Sequence, residues 1–456
     1  MPGAKTSILK LPAVQRIAEN LATHDHWTRE QLLAFQKTRL KHVIAHAAAR
    51  SPYYREALGA LGKGPKRLQD LPTLDKSLLM KEFDRIVTDR RLNRAMVEEH
   101  VGKYGAAVPL LERYRIFPTG GSTGIRTLVV VTRPTRLIGI ANTLRWTRVM
   151  GIEDQTRVVS IGAATPLHIS NQISAELRGG RPDAPALDVT MPISQLVQAL
   201  NAYRPEVLIA YASILRALVL EQMAGRLAIK PRCCGSICET LAPEIRRLVR
   251  EVWGAPVIDS YATTETGQIG TDCNRVTGIH VMEELVVLEV VDEHYKPVPP
   301  GVTGERLLVT TLFNSVMPLI RYEITDRVAV TQDPCPCGRP HMRLLGIQGR
   351  AEEMLELPAK AGGTTRVAAV RFRDPLLLNT AVRQYQVVAP PGELRVRVVL
   401  SQDAGDPAAA LQTLHRAIAI EMDKVGALPQ ALTVERVDRI ERTAHAGKER
   451  LVAQTL

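Results

Sequence analysis

The chain has 456 residues, 45% of them hydrophobic and 23% charged, and a formal net charge of +12. That length exceeds what one core organises, so two or three domains are expected, and the composition excludes a disordered or collagenous chain. No apolar run approaches membrane-spanning length and the opening Met1–Lys10 lacks the apolar region of a signal peptide, so the expectation is a cytoplasmic protein with no membrane partner. The basic residues are scattered and only 4% of residues are aromatic, which argues against a nucleic-acid surface and suits a small anionic substrate such as ATP or coenzyme A, or a solvated surface.

From Trp27 to Ala47 an approximate helical stripe of Leu32, Leu33, Phe35, Leu40, Val43, Ile44 and Ala47 predicts an amphipathic packing helix. Ser51-Pro52 interrupts it, and Leu68–Lys76 is predicted as a loop leading into another helix. After a β-branched run at Leu128–Thr132, strands and helices alternate. Helices are expected near Arg136–Met150, Gln195–Tyr203 and Ser213–Gly225, with strands at Arg157–Ile161 and Glu206–Ala210. The helix Leu241–Gly254 has Pro243 in its first turn and Gly254 at its end, and delivers the chain into a strand at Pro256–Ala262. Such alternation predicts an α/β layered domain. A change of periodicity near Gly346 marks a boundary between residues 1–347 and 348–456. Beyond it, amphipathic strands at Val382–Val388 and Leu394–Leu400, a helix at Leu411–Val425 and a strand at Leu432–Val437 make a small α+β module.

Two places are chemically suggestive. Thr119, Gly120, Gly121, Ser122, Thr123 and Gly124 form a donor-rich loop whose backbone N–H groups can approach a phosphate, although such stretches are also ordinary turns. It lacks the spacing and lysine of the P-loop. The strand ending at Tyr261, Thr264 and Glu265 would project an aromatic plane, a hydroxyl and a carboxylate into a cleft beyond the sheet, or would be a polar turn.

Together, Thr119–Gly124 and Tyr261–Glu265 resemble the adenylate-forming superfamily. Gly278–Val281, Met317–Asp326 and Cys335–Arg339 fall in the order of its phenylacetate-CoA ligase-like branch, and Gln36–Tyr54 and Gly447–Arg450 resemble that branch too. The resemblance implies a large multi-sheet layered N-terminal domain and a small mobile C-terminal domain that swings about a hinge near Glu352. It implies that the loop Thr119–Gly124 holds the ATP phosphates, Glu265 binds Mg²⁺ with Thr264 beside it, Tyr261 stacks on adenine and Asp326 accepts the ribose hydroxyls. Arg350, Ser236 and Glu239 belong to the nucleotide-binding set. Lys448 would point at the charge developing between the substrate carboxylate and the α-phosphate. Where the branch usually has a lysine after the third glycine, this chain has Ile125, and Arg126 is the candidate for that charge, although arginine and lysine are not interchangeable. Glu352-Glu353 and Leu357–Thr364 also depart from the family pattern, on the surface expected to serve thioester formation.

The six cysteines are Cys233, Cys234, Cys238, Cys273, Cys335 and Cys337, and disulfides are not expected in a reducing compartment. Cys273, His280, Cys335 and Cys337 offer the ligand number and type of tetrahedral structural zinc, or are buried thiols. Some members of the resembled branch carry zinc here. Cys233, Cys234 and Cys238 are expected in the core. For the acid pocket, Leu208–Ser213 and Gly235–Glu239 are expected to contribute Tyr211 and small apolar neighbours, which suits an aromatic carboxylate. His168 is either a gate for the carboxylate or a hydrogen-bonded loop residue.

The function expected is activation of a carboxylic acid with Mg-ATP to acyl-adenylate and pyrophosphate, followed by thioester formation with coenzyme A. The alternatives are an adenylating enzyme serving an amine, a carrier-protein thiol or another nucleophile, and an inactive nucleotide-binding protein on the same fold. A homodimer is compatible with the sequence.

Overall fold

The structure is a computed structural model that describes residues 8–61, 67–105, 108–119, 126–178, 183–276, 278–350, 354–401, 404–441 and 452–453. The N-terminal part is helical: α1 (Pro12–Thr23), α2 (Arg29–Arg50), α3 (Pro52–Ala60), α4 (Lys76–Lys81), α5 (Phe83–Ile86) and α6 (Arg94–Tyr104). Thr28 and Gln31 form a capping box at the start of α2, each side chain accepting from the other residue's backbone N–H, which satisfies two donors the helix leaves unpaired. Of the predicted stripe on α2, Leu32, Val43 and Ala47 are buried. Leu33 is 41% exposed, because a neighbour one residue along lies about 100° around the helix from Leu32.

A hairpin follows, β1 (Tyr114–Pro118) with β2 (Leu128–Thr132), and then α7 (Arg133–Val149). The alternating region continues as β3 (Val158–Gly162), α8 (Ile169–Arg178), β4 (Leu187–Asp188), α9 (Ile193–Tyr203), β5 (Val207–Tyr211), α10 (Ala212–Met223), β6 (Cys233–Ile237), α11 (Pro243–Trp253) and β7 (Val257–Thr263). Helix α11 starts at its proline and ends at Gly254 with φ +68°, a left-handed cap that glycine adopts without a Cβ penalty. It buries Ile245, Val249 and Trp253 at i, i+4 and i+8. Next come β8 (Gly267–Asp272), β9 (Ile279–Val281), β10 (Val286–Val291), β11 (Arg306–Thr311), β12 (Tyr322–Ile324), β13 (Asp326–Thr331) and β14 (Arg343–Arg350).

Among the described residues these strands form a nine-stranded sheet ordered β13-β14-β9-β8-β7-β6-β5-β3-β4. The half from β4 to β7 is parallel and the half from β7 to β13 antiparallel. Strands β3, β5 and β6 are buried at every position, as expected where helices cover both faces. A separate sheet, β10-β11-β12, packs in the same hydrophobic cluster as the N-terminal helices.

The smaller C-terminal region contains β15 (Leu355–Pro358), β16 (Thr364–Val367), α12 (Arg373–Leu377), β17 (Val382–Val388), β18 (Glu393–Leu400), α13 (Pro407–Lys424), β19 (Ala431–Arg436) and β20 (Val452–Ala453). Its four-stranded sheet runs β19-β18-β17-β20 and has its own hydrophobic cluster around Phe372, Val396 and Ile418. Strand β14 continues through residue 347 to pair Arg350 with Asp326, so the sheet extends past the point where the sequence periodicity changes. The α/β fold with a large multi-sheet part and a smaller C-terminal β-rich part agrees with the sequence expectation.

Candidate active site

Beyond the carboxyl ends of β5, β6 and β7 lies a cavity of about 1080 Å³, the position where open α/β sheets bind ligands. Its wall includes Thr119, Glu239, Tyr261, Thr264, Glu265 and Asp326. The structure therefore brings together residues that the sequence places between positions 119 and 326. The Tyr261 hydroxyl donates to Asp326 Oδ2 at 2.6 Å, which fixes the ring beside the carboxylate. Tyr322 donates to Glu265 Oε1 at 3.2 Å, and burial followed by the Glu265 charge holds the Tyr322 phenol well above its ordinary value. Tyr322 is thus a donor that steadies Glu265. Glu239 Oε2 accepts the Ser213 N–H at 2.9 Å, at the start of α10.

The glycine loop is closed at its base. Thr119 N–H donates to the Thr127 carbonyl and Thr127 N–H to Thr119 Oγ1, both at 2.9 Å. Gly120, Gly121, Ser122, Thr123, Gly124 and Lys448 lie outside the described residues, as does Glu352, and Arg350 is described only as the end of β14.

Four expectations change. Arg126 is exposed at the foot of the loop and is not part of the cavity wall, whereas Lys76 is. Asp75 caps the helix that carries Lys76, accepting Leu78 N–H at 2.7 Å, so this cation comes from a helix start rather than from the loop. Ser236 is fully buried within β6 and sits beneath the floor; its neighbour Asp259 lines the cavity instead. Tyr211 is also fully buried and stands behind the wall, because β5 is covered on both faces. Its hydroxyl lies 3.2 Å from Ser170 Oγ, and Ser170 does line the cavity. Cys238 is half-buried in the wall with φ +67°, while Cys233 and Cys234 are buried as expected and burial pushes the Cys233 thiol up to about 11. His168 is buried in the wall with Nδ1 at 2.8 Å from Ser170 Oγ, an imidazole oriented by hydrogen bonding.

The helical part of the cavity wall was not legible from the motifs. Gly139, Ile140, Thr143 and Trp146 from α7 and Ile173 from α8 contribute to the wall, and an Arg136–Glu176 ion pair at 3.1 Å joins the same two helices. Their only sequence signal is a helical stripe, which core packing produces equally.

Away from the cavity, Cys273, His280, Cys335 and Cys337 converge, with all their ligand atoms within 4.8 Å of one another. Cys273 Sγ lies 3.7 Å from Cys335 Sγ, and Cys337 Sγ 3.4 Å from His280 Nε2. Tetrahedral zinc with Zn–S near 2.3 Å and Zn–N near 2.0 Å separates ligand atoms by roughly 3.5–3.8 Å, so the donor set fits such an ion. Burial lowers the His280 imidazole to about 4, which keeps it neutral with a lone pair for coordination. Beside the cluster, Arg339 meets Asp25 at 3.3 Å and His341 meets Glu284 at 3.1 Å. Arg145 bridges Asp25 and Glu284. This buried network ties the chain after Cys337 to α7 and to the turn after α1, and no sequence motif announces it.

A nucleotide-sized cavity beyond parallel strands, with Tyr261, Glu265 and Asp326 converging in it, is the arrangement of an adenylate-forming enzyme. The family described as AMP-binding enzyme matches residues 33–314, more than half of the chain, and the chain belongs to that family. It is 29% identical over 380 residues to the phenylacetate-coenzyme A ligase of Thermus thermophilus, covering 79% of this chain and 78% of that one. It is 23% identical over 391 residues to the enzyme of the same name from Aromatoleum evansii, covering 83% of each. Among solved structures, 2-hydroxyisobutyryl-CoA ligase in complex with 2-HIB-AMP in the postadenylation state superposes with a TM-score of 0.71 at 22% identity, over 94% of this chain and 91% of that one, a likeness of fold. Among the described residues no helix is long and apolar enough to cross a membrane.

Proposed function

We propose that this protein is an AMP-forming acid–coenzyme A ligase acting on an aryl carboxylic acid in the cytoplasm. The observation that carries the reading is one cavity whose wall holds both a polar set, Thr119, Tyr261, Glu265 and Asp326, and an apolar set that includes Gly139, Ile140 and Ile173. ATP lies against the first, its phosphates on the loop Thr119–Gly124, its Mg²⁺ on Glu265, its adenine against Tyr261 and its ribose on Asp326 and Arg350. Lys76 rather than Arg126 supplies the nearby positive charge. The acid lies against the apolar set, where Gly139 leaves room and the branched aliphatics Ile140 and Ile173 suit an aromatic ring; the phenylacetate-CoA ligase relatives support that choice.

In the first half-reaction a carboxylate oxygen attacks the α-phosphorus and pyrophosphate leaves. In the second, the coenzyme A sulfur attacks the acyl carbon, loses its proton and displaces AMP. Lys448 stabilises the charge that grows during the first step. Strand β20 begins shortly after Lys448 and pairs with Val387 and Val388 of β17, whose Gln384 and Tyr385 line the cavity. Residues 348–456 act as the domain that carries Lys448 in and then turns away about a hinge near Glu352. Cys273, His280, Cys335 and Cys337 hold a structural zinc ion, for which their spacing and the neutral His280 are the support.

The test is acid-dependent ATP–pyrophosphate exchange with phenylacetate, benzoate and 2-hydroxyisobutyrate, first without and then with coenzyme A. Exchange with the aryl acids, then AMP release on adding coenzyme A, is expected. Exchange without AMP release would assign a different acceptor, and no exchange with any acid would overturn the reading.

A further inference from the structure

Arg216 lies in the interior of α10, is 4% exposed and forms part of the cavity wall. Its guanidinium reaches across to backbone carbonyls of the C-terminal region. Nη1 donates to Val382 O at 2.7 Å and to Arg383 O at 3.4 Å; Nη2 donates to Leu377 O at 3.0 Å and Asn379 O at 3.1 Å; Nε donates to Leu377 O at 3.3 Å. These oxygens belong to the last residue of α12 and to the turn that starts β17. Carbonyls at a helix end have no partner within the helix, and a planar fork of N–H groups can serve several at once, which a lysine cannot. Further along α10, Glu221 Oε1 meets Arg383 Nη1 at 3.0 Å. One helix of the large sheet therefore grips a single turn of the C-terminal region at two places.

That turn controls what faces the active site. It feeds directly into β17, whose Gln384 and Tyr385 line the cavity and whose Val387 and Val388 hold β20, the strand that follows Lys448. We propose that Arg216 is a positioning residue for adenylation: by holding the carbonyls of residues 377–383, with the Glu221–Arg383 pair in support, it keeps Gln384 and Tyr385 of β17 against the cavity in the half-reaction that Lys448 serves. The inference rests on the role given to Lys448 above. Arg216 meets neutral oxygens, so releasing the turn leaves carbonyls that water rehydrates, and the buried Glu221, which loses Arg383, keeps Arg226 as a partner. The contact is suited to being made and broken in each catalytic cycle.

The experiment separates the two half-reactions. Adenylation is followed by ATP–pyrophosphate exchange with phenylacetate, and transfer by supplying synthetic phenylacetyl-adenylate with coenzyme A. Arg216→Gln is expected to lower kcat for exchange by about tenfold or more, with KM for ATP and acid changed by less than about twofold, while transfer persists. Arg216→Lys recovers part of the loss, and Glu221→Gln gives a smaller loss of the same sign. Persisting transfer also shows that each variant is folded. Should Arg216→Gln not fold, Arg216→Lys and Glu221→Gln decide by the same ratio. Parallel loss in both half-reactions, a loss confined to KM, or no loss overturns the inference while leaving the ligase reading intact. Absence of exchange in the unaltered protein overturns both.

Discussion

The two walls of the cavity are built by different physics. On one side β5 and β6 are buried at every position and lie between helices, so displacing them would expose core to water. On the other side β17, which lines the cavity with Gln384 and Tyr385, mixes buried and half-buried residues, and its neighbour β18 alternates them, the pattern of a sheet with one covered face. That second wall has its own hydrophobic cluster, and polar contacts from Arg216 and Glu221 help hold it to the first. The first wall therefore fixes where ligands sit. The second is joined to the first by hydrogen bonds, one ion pair and the packing of Leu377, contacts that the delivery of Lys448 proposed above would exchange for water.

The largest effect that would sharpen this division is on Lys448→Ala. Pyrophosphate exchange should fall by about 10²–10³, as for loss of one preorganised donor to developing charge, while ATP affinity measured by calorimetric titration stays near that of the unaltered protein. An equal loss of ATP affinity would break the comparison, because the second wall would then be part of the ground-state site.

Core truncations probe the same contrast through stability. Leu208 in β5 and Leu394 in β18 are both fully buried or nearly so, and replacing either by Ala should cost about 2–5 kcal/mol. Leu208→Ala should reduce ATP binding together with thermal stability. Leu394→Ala should lower the melting of the C-terminal region in scanning calorimetry and leave ATP binding in place. Loss of ATP binding in Leu394→Ala would show that the two cores melt as one.

Cys335→Ser acts on the first wall from outside the cavity, through the loop that follows Asp272. Metal analysis of protein purified without added metal should give about one zinc per chain, and the variant should give almost none and melt at a lower temperature. Equal, substoichiometric zinc in both would remove the ion from the account.

The remaining effect is a pH slope from Asp259. Burial raises its carboxyl to about 7, from an ordinary value of 3.8, with Arg246 opposing. Below about pH 4 the group is protonated in folded and unfolded chains alike and contributes nothing. Between about pH 4 and 7 the unfolded chain has released the proton that the folded chain keeps, so the group destabilises the fold increasingly as pH rises, and the effect levels off above that range. Asp259→Asn removes the slope. Its melting temperature relative to the unaltered protein should therefore rise between pH 5 and pH 8; a constant difference would show that Asp259 is already ionised in the folded cavity.

What the sequence by itself determined is local. β-branched runs such as Val207–Ala210 specified buried strands, Pro243 and Gly254 bounded a helix, and the alternation of Leu394–Leu400 specified a one-sided sheet, because periodicity and caps act within a few residues of chain. The candidate roles of Tyr261, Glu265 and Asp326 came from the resemblance of the surrounding motifs, since the residues alone also suit a polar turn, whereas the four metal-ligand candidates were picked out by residue type and number. Which of them meet was settled by the order of the strands. Cys273 reaches Cys335 across 62 positions because β8, β9 and β14 are neighbours in one sheet. Tyr211 and Ser236, polar enough to read as ligand contacts, went into the interior because β5 and β6 are covered on both faces. Trp146, Lys76, Asp259 and Arg216 entered the cavity wall with no motif to mark them. A side chain's neighbours across a cavity depend on packing between distant elements, and that information resides in the tertiary contacts rather than in any stretch of the chain.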